Sequence, residues 1–239
     1  MTSSSEAPLS LLGVTLRRSA VLGKFYLGYG TVMGSFLGIV LSVSGGSAFS
    51  SAFPLVLPIF GTVGSIGAIT VFTSDRTKGT LEYFLAYGVT PRRLFATILA
   101  CSMALVAVIV GVATAVGLSA FLVRGGAWST GLAQHLIGYG LPMAFASAGL
   151  TTIVSMYWSA LSSPRAGMNS PVGLAPLLGV LPPALVLVLV GGVAAATGAS
   201  SSTITYVTLS AVTAVGVAAL VLLALSGRLL RRERLLSSV

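Results

Sequence analysis

Long apolar runs and short polar intervals alternate along the chain, and this pattern predicts a helical membrane protein. Six runs are each about as long as the ~20 residues that a helix needs to cross a bilayer. We expect transmembrane helices at residues 25–43, 53–72, 92–122, 136–160, 171–195 and 204–226. The runs lack the alternation of apolar and polar residues that a membrane barrel strand requires. The predicted fold class is therefore all-α, a bundle of six transmembrane helices.

The only long polar interval, residues 73–93, contains a short amphipathic pattern. Thr80 is a candidate helix N-cap, and Glu82 falls in the first turn, where a carboxylate interacts favourably with the positive end of a helix. Three apolar side chains share one face: Leu81, Phe84 and Leu85. Gly88 is placed to end the helix. We therefore predict a helix at about 80–88 that has nothing local to pack on and needs a partner protein or the membrane surface.

Thr90 and Pro91 predict the start of the next helix, as an N-cap followed by a proline at the first helical position. The run GTLEYFLAYGVTPRRLF, residues 79–95, resembles the cytoplasmic loop between the second and third spans of ABC-2-type ABC transporter permeases. In that family a Gly-Thr-Leu-Glu core precedes an apolar pair, a turn, a basic pair and the next membrane helix. The resemblance implies that the predicted helix is a coupling helix, docked in a groove of a separate ATP-binding subunit. The residues implied in docking are Thr80, Leu81, Glu82, Phe84, Leu85 and Gly88.

The same resemblance implies how the chain would work. Permeases of this family act as dimers, so a second copy or a paralogue is expected, together with ATP-binding-cassette subunits that carry the ATP and Mg²⁺. No cofactor is expected on this chain itself, and the implied function is that of the membrane-spanning subunit of an exporter. Two alternatives remain open. One is an importer permease that works with an external binding protein, since the spacing of Glu82, Gly88, Phe95 and Ile98 is also similar to the importers' loop. The other is a membrane scaffold without transport.

Composition agrees with a membrane protein. Apolar residues make up 55% of the chain and charged residues 7%, with a mean hydropathy of +1.02, whereas about a quarter of the residues are charged in soluble domains. Of the 13 Lys and Arg residues, Arg124 alone lies in a link expected on the outer side. The others lie in or beside the termini and the links 73–91 and 161–170. The net charge of +9 therefore indicates orientation in the plasma membrane, with both termini cytoplasmic, and not nucleic-acid binding.

Residues 9–22 predict an amphipathic interfacial helix on the inner leaflet, because Leu9, Leu12 and Leu16 recur at helical spacing. Permeases of the resembled family carry such a helix before the first span. Basic side chains are expected to anchor the chain at the lipid headgroups. They are Arg17, Arg18 and Lys24 near this helix, and Arg92 and Arg93 at the start of the third span.

Glycines and prolines mark contacts and bends in the spans. Gly30, Gly34 and Gly38 lie four residues apart in the first span, and small residues at this spacing allow another helix to approach closely. The ridge is either a packing face within the chain or a seam between two copies, since the family dimer forms largely through the first and fifth spans. Pro182 and Pro183 break the hydrogen bonding of the fifth span, either as a gate hinge or as a packing kink.

No catalytic or metal chemistry is expected. The apolar spans hold no Asp, Glu, Lys or Arg at mid-depth, where ion-driven carriers place their binding groups, and no phosphate-binding loop motif occurs in the sequence. Ser147 and the single histidine, His135, would lie about 18 Å apart on one helical stretch, too far for a serine hydrolase pair. With Cys101 as the single cysteine, a metal site also lacks ligands. We therefore expect a subunit that is not an enzyme and that a separate ATPase powers.

Overall fold

The computed structural model describes residues 7–161 and four isolated positions further on, 214, 217, 221 and 224. Within this part the chain forms helices joined by short turns, without strands. In chain order the helices are α1 (Ala7–Leu22), α2 (Lys24–Val43), α3 (Gly46–Thr77), α4 (Thr80–Ala86), α5 (Pro91–Val123), α6 (Thr130–His135) and α7 (Leu141–Leu161), with a π-helical segment, Leu136–Gly140, between the last two. The all-α class is confirmed for these residues.

Four segments of the described chain are long and apolar enough to cross a membrane, as expected of a membrane protein. They are Lys24–Val43, Phe49–Thr77, Pro91–Val123 and Thr130–Ser159. These segments overlap the first four predicted spans. The fifth and sixth predicted spans lie outside the described residues, apart from the four isolated positions in the sixth, which are helical. The hinge prolines, Pro182 and Pro183, lie outside them as well.

The helix that overlaps the second predicted span is longer than that prediction, because α3 continues through the polar residues that follow position 72. Asp75 and Arg76, in its last turns, are both buried in the bundle. The hydroxyl groups there bond back to the helix itself, as where Thr73 Oγ1 donates to the carbonyl of Thr70 at 3.1 Å. The predicted polar link at 73–91 is therefore mostly helical, and only two residues separate α3 from α4.

A histidine satisfies a carbonyl that a proline leaves without its usual donor. Pro54 lies inside α3, and because proline has no N–H, the carbonyl of Ser50 loses the hydrogen bond of a regular helix. Nδ1 of His135, the last residue of α6, lies 2.9 Å from the carbonyl oxygen of Ser50. A carbonyl only accepts, so Nδ1 carries the proton when the imidazole is neutral. This bond ties α6 to the start of α3.

The glycine ridge of α2 packs on α5 of the same chain. Gly30, Gly34 and Gly38 are all buried. A Cβ atom on Gly34 would lie 2.8 Å from the Cβ of Ala113, and one on Gly38 would lie 2.8 Å from the Cα of Gly117. Carbon atoms do not approach so closely, so only glycine allows this packing. Of the two alternatives for the ridge, the structure shows the packing face within the chain, and this side of α2 is not free to form a seam.

Two apolar clusters fill the bundle. One contains stacked aromatic rings, with the ring centroid of Phe49 4.9 Å from that of Phe53 and 4.7 Å from that of Phe121. The other joins α3, α4, α5 and α7 through the buried side chains of Ala68, Phe72, Leu81, Leu85, Leu94, Phe95, Ile98, Cys101, Ile153 and Met156. We call the second the α4 cluster. The end of the bundle where α3 ends and α5 begins is the α4 end.

Candidate functional site

α4 is a seven-residue helix between two glycines in the left-handed conformation. Gly79 precedes it at a φ of 71°, and Gly88 follows it at a φ of 83°, values that other residues rarely adopt. The prediction of Thr80 as the N-cap is wrong, because Gly79 occupies that position and Thr80 is the first helical residue. The prediction that Gly88 ends the helix is confirmed. Val89 donates its N–H to the carbonyl of Phe84 at 3.0 Å, the bond that closes a Schellman motif.

One face of α4 is buried in the bundle. Leu81 and Leu85 are 3% and 2% exposed and belong to the α4 cluster, with Phe72 of α3 and Phe95 of α5. The expectation that this helix has nothing local to pack on is therefore wrong. The leucines share a face as predicted, but that face meets the chain's own core. Leu81 and Leu85 hold α4 in place and are not open to a partner, and Phe84 is only partly exposed.

The exposed side of α4 carries two aromatic side chains. Tyr83 is 68% exposed and Tyr87, four positions on at the C-cap, is 86% exposed. Exposed cations flank them in the sequence, Lys78 before α4, and Arg92 and Arg93 at the start of α5. We call these five side chains the α4 surface. Sequence reasoning missed both tyrosines, although their i, i+4 spacing away from the leucines marks a second face of the helix.

The turn between α4 and α5 is fixed by short-range contacts. Thr90 Oγ1 accepts a hydrogen bond from the backbone N–H of Arg93 at 3.3 Å, and Pro91 is the first residue of α5. The predicted N-cap and proline start are both confirmed. Glu82 lies in the first turn of α4, as predicted, and is partly exposed. The orientation of α4 relative to α5 is therefore set by the backbone geometry of this turn.

An ion pair ties α1 to the last turns of α3. Arg18 donates to both carboxylate oxygens of Asp75, with Nη1 3.0 Å from Oδ2. The carboxylate is buried, since Asp75 is 6% exposed. Arg18, predicted as a lipid anchor, is instead committed to a protein carboxylate, because α1 packs along α3 where these residues meet. A bidentate arginine–carboxylate pair fixes direction as well as distance, so this contact orients α1 on the bundle.

α1 also contacts the cluster that holds α4. Leu12 and Leu16, two of the residues that predicted its amphipathic character, pack against the α4 cluster. Arg17 and Lys24 are exposed. Their anchoring role at the lipid headgroups stays a prediction, as does that of Arg92 and Arg93.

Two further polar groups are buried near the α4 end. Arg76 is 7% exposed, and neither its Nε nor its Nη1 has a hydrogen-bond partner among the residues that the structure describes. Cys101, predicted as a buried thiol, is indeed buried and unpaired in α5, with Sγ 3.9 Å from the carbonyl oxygen of Leu12. In the described part of the chain, no group of three or more His, Cys, Asp and Glu residues is placed to hold a metal ion.

The arrangement is a short helix fastened to the core by leucines and turned outward with tyrosines and flanking cations. Its buried face contacts residues of both α3 and α5. Comparison of the chain with protein-family models, with curated proteins and with solved structures finds no match.

Proposed function

We propose that this chain is the membrane-spanning permease subunit of an ATP-binding-cassette exporter of the ABC-2 type. It works beside a second copy or a paralogue, and separate ATP-binding subunits carry the ATP and Mg²⁺. One observation carries the proposal most strongly: α4 lies between two candidate membrane spans, buried on its leucine face and exposed at Tyr83 and Tyr87. The resemblance of residues 79–95 to the family's coupling loop supports it from the sequence.

The packing of α4 against α3 and α5 would allow it to transmit a force to both helices. Close-packed cores move as units and do not deform continuously. Because Leu81 and Leu85 are packed with Phe72 of α3 and Phe95 of α5, a push on α4 acts on both spans at once. In the proposed mechanism, ATP binding draws the partner subunits together, displaces α4 and switches the access of the pathway between the two sides of the membrane.

The chemistry of the α4 surface defines the partner groove. Tyrosine rings fill apolar pockets and keep a hydroxyl for hydrogen bonding, so Tyr83 and Tyr87 are the anchors. Lys78, Arg92 and Arg93 call for an acidic rim on the partner, which would speed association and fix orientation. This changes the docking role given to Leu81 and Leu85, which become the support of the helix.

The placement of charged residues in the described candidate spans fits a transporter whose energy comes from a partner subunit. Their charged residues lie near their ends: Lys24, Asp75, Arg76, Arg92 and Arg93. Ion-driven carriers use ionisable groups near the bilayer midplane, and the four described segments hold none there. A partner that hydrolyses ATP would supply the energy in their place.

Purification in mild detergent tests the proposal. The tagged chain is isolated from cells, and ATP hydrolysis is measured in the purified material. Wild type is expected to bring ATPase activity with it, and the double variant Tyr83→Ala/Tyr87→Ala to lose at least about tenfold, because aromatic anchors are typical interface hot spots. Trp128→Ala is the matched control, since Trp128 is 54% exposed in the turn that follows the far end of α5. Equal activity in the double variant, or none with wild type, would contradict the docking role.

A further inference from the structure

Arg76 is a buried cation without a described counter-ion. It lies in the last turn of α3, is 7% exposed, and leaves Nε and Nη1 without hydrogen-bond partners among the described residues. An arginine side chain stays protonated at any physiological pH. A buried charge that is not compensated is strongly destabilising, and buried charges in proteins are accordingly paired. The position of Arg76 therefore calls for an anion.

The described carboxylates do not supply that anion. Asp75 is adjacent in sequence, but both of its oxygens accept from Arg18. Glu82 is the other acidic residue in the described part of the chain. It forms no ion pair with Arg76, since the one ion pair found among the described residues is that of Arg18 with Asp75. Glu6 and Glu233, the remaining acidic residues of the sequence, lie outside the described residues.

Position and charge at the α4 end favour a lipid phosphate. Arg76 is the penultimate residue of the candidate span Phe49–Thr77, where a membrane helix passes from hydrocarbon to headgroups. Exposed cations lie at the same end of the bundle: Arg17, Lys24, Lys78, Arg92 and Arg93. Such a cluster attracts anionic lipids to the surface beside it. An arginine then offers the paired N–H donors that phosphate oxygens accept.

We propose that the guanidinium of Arg76 binds the phosphate of an anionic membrane lipid at the α4 end of the bundle. The position of Arg76 at the end of the candidate span Phe49–Thr77 favours a lipid headgroup over a protein carboxylate. The bound lipid fastens the end of α3, from which α4 follows after two residues. The proposal does not depend on the identity of the transported cargo or of the partner subunit.

Lipid titration of the purified full-length chain tests this. Binding of phosphatidylglycerol is followed by native mass spectrometry, and Tm is measured with phosphatidylglycerol, with phosphatidylcholine and with inorganic phosphate. Wild type is expected to bind phosphatidylglycerol and to gain Tm from it, while Arg76→Met binds it at least about tenfold more weakly, since a charge-assisted bond is lost. Arg124→Met is the control: it removes an exposed arginine from the opposite end of α5 and is expected to bind as wild type does.

The variant also makes a prediction without lipid. Because Arg76→Met removes an uncompensated buried charge, it is expected to melt no lower than wild type in lipid-free detergent. A much lower Tm there would mean that Arg76 already has its partners in the protein, and would overturn the proposal. So would a Tm gain from inorganic phosphate with none from phosphatidylglycerol, which would make free phosphate the ligand.

Two other results would assign the anion to a protein. If Glu233→Gln lowers Tm in wild type but not in Arg76→Met, the counter-ion is that glutamate. If Arg76→Met loses the co-purified ATPase activity and binds lipid normally, the counter-ion is a carboxylate of the partner subunit. Either result overturns the lipid site, whereas unchanged lipid binding in Arg124→Met with loss in Arg76→Met supports it.

Discussion

Truncation of Leu85 to alanine tests whether the leucine face of α4 is its support. The side chain is 2% exposed and packs in the α4 cluster with Phe72 and Phe95. The change removes three carbon atoms, each worth about 0.8 kcal/mol on transfer from water, and leaves a cavity. We therefore expect a loss of about 2–5 kcal/mol. α4 has only seven residues, and a helix this short depends on tertiary packing. The loss of stability is therefore expected to appear as local opening of this helix.

Hydrogen exchange of the backbone amides measures such opening directly. In detergent micelles, α4 amides of the Leu85→Ala variant are expected to exchange at least about 30-fold faster than in wild type, the factor that corresponds to about 2 kcal/mol. Tyr87→Ala is the matched control. Its side chain is 86% exposed, so the expected change is within about 0.5 kcal/mol, or about twofold in exchange. If Tyr87→Ala opened α4 and Leu85→Ala did not, the assignment of the two faces would be refuted.

Two further changes test the packing of α2 on α5 and of α1 on α3. Gly34→Val should lower the free energy of unfolding by about 1–3 kcal/mol, because a Cβ atom there meets the Cβ of Ala113 at 2.8 Å. Gly28→Ala is the control: a Cβ atom there meets nothing within 4 Å, so the variant should raise Tm slightly, as an ordinary helical substitution does. Equal melting of the two variants would contradict the packing of α2 on α5. Asp75→Asn should weaken the attachment of α1 to the bundle by about 1–2 kcal/mol, less than for a fully buried ion pair because the side chain of Arg18 is 35% exposed. The weakening should appear as faster amide exchange in α1. Unchanged exchange would show that the ion pair does not hold α1.

The four long apolar helices that could cross a membrane could be located from the sequence, because apolar runs of this length have few alternatives to a membrane helix. The local signals at 88–91 were equally readable: Gly88 ends α4, and Thr90 with Pro91 starts α5. Each depends on the geometry of a few neighbouring residues. The N-cap of α4 was misplaced by one residue, since a glycine with positive φ at Gly79 can replace a capping side chain.

Contacts between distant parts of the chain could not be predicted in the same way. The leucine face of α4 was recognised, but its partners come from α3, α5 and α7, and periodicity alone does not say which surface covers a face. The pair of Arg18 with Asp75 joins residues 57 positions apart, and the bond of His135 to the Ser50 carbonyl joins residues 85 positions apart. For the same reason the sequence located the helix and its leucine face but assigned that face to a partner, whereas it packs on the chain's own core.

The most direct test of the central claim is a photo-crosslinking amino acid placed at position 87 in living cells, with position 128 as control. Both native side chains are exposed aromatics, one in the turn that precedes α5 and one in the turn that follows it. We predict that the probe at 87 forms a covalent product with a protein that contains an ATP-binding cassette, and that the probe at 128 does not. Products at 87 with lipid alone, or the same products at both positions, would contradict the account.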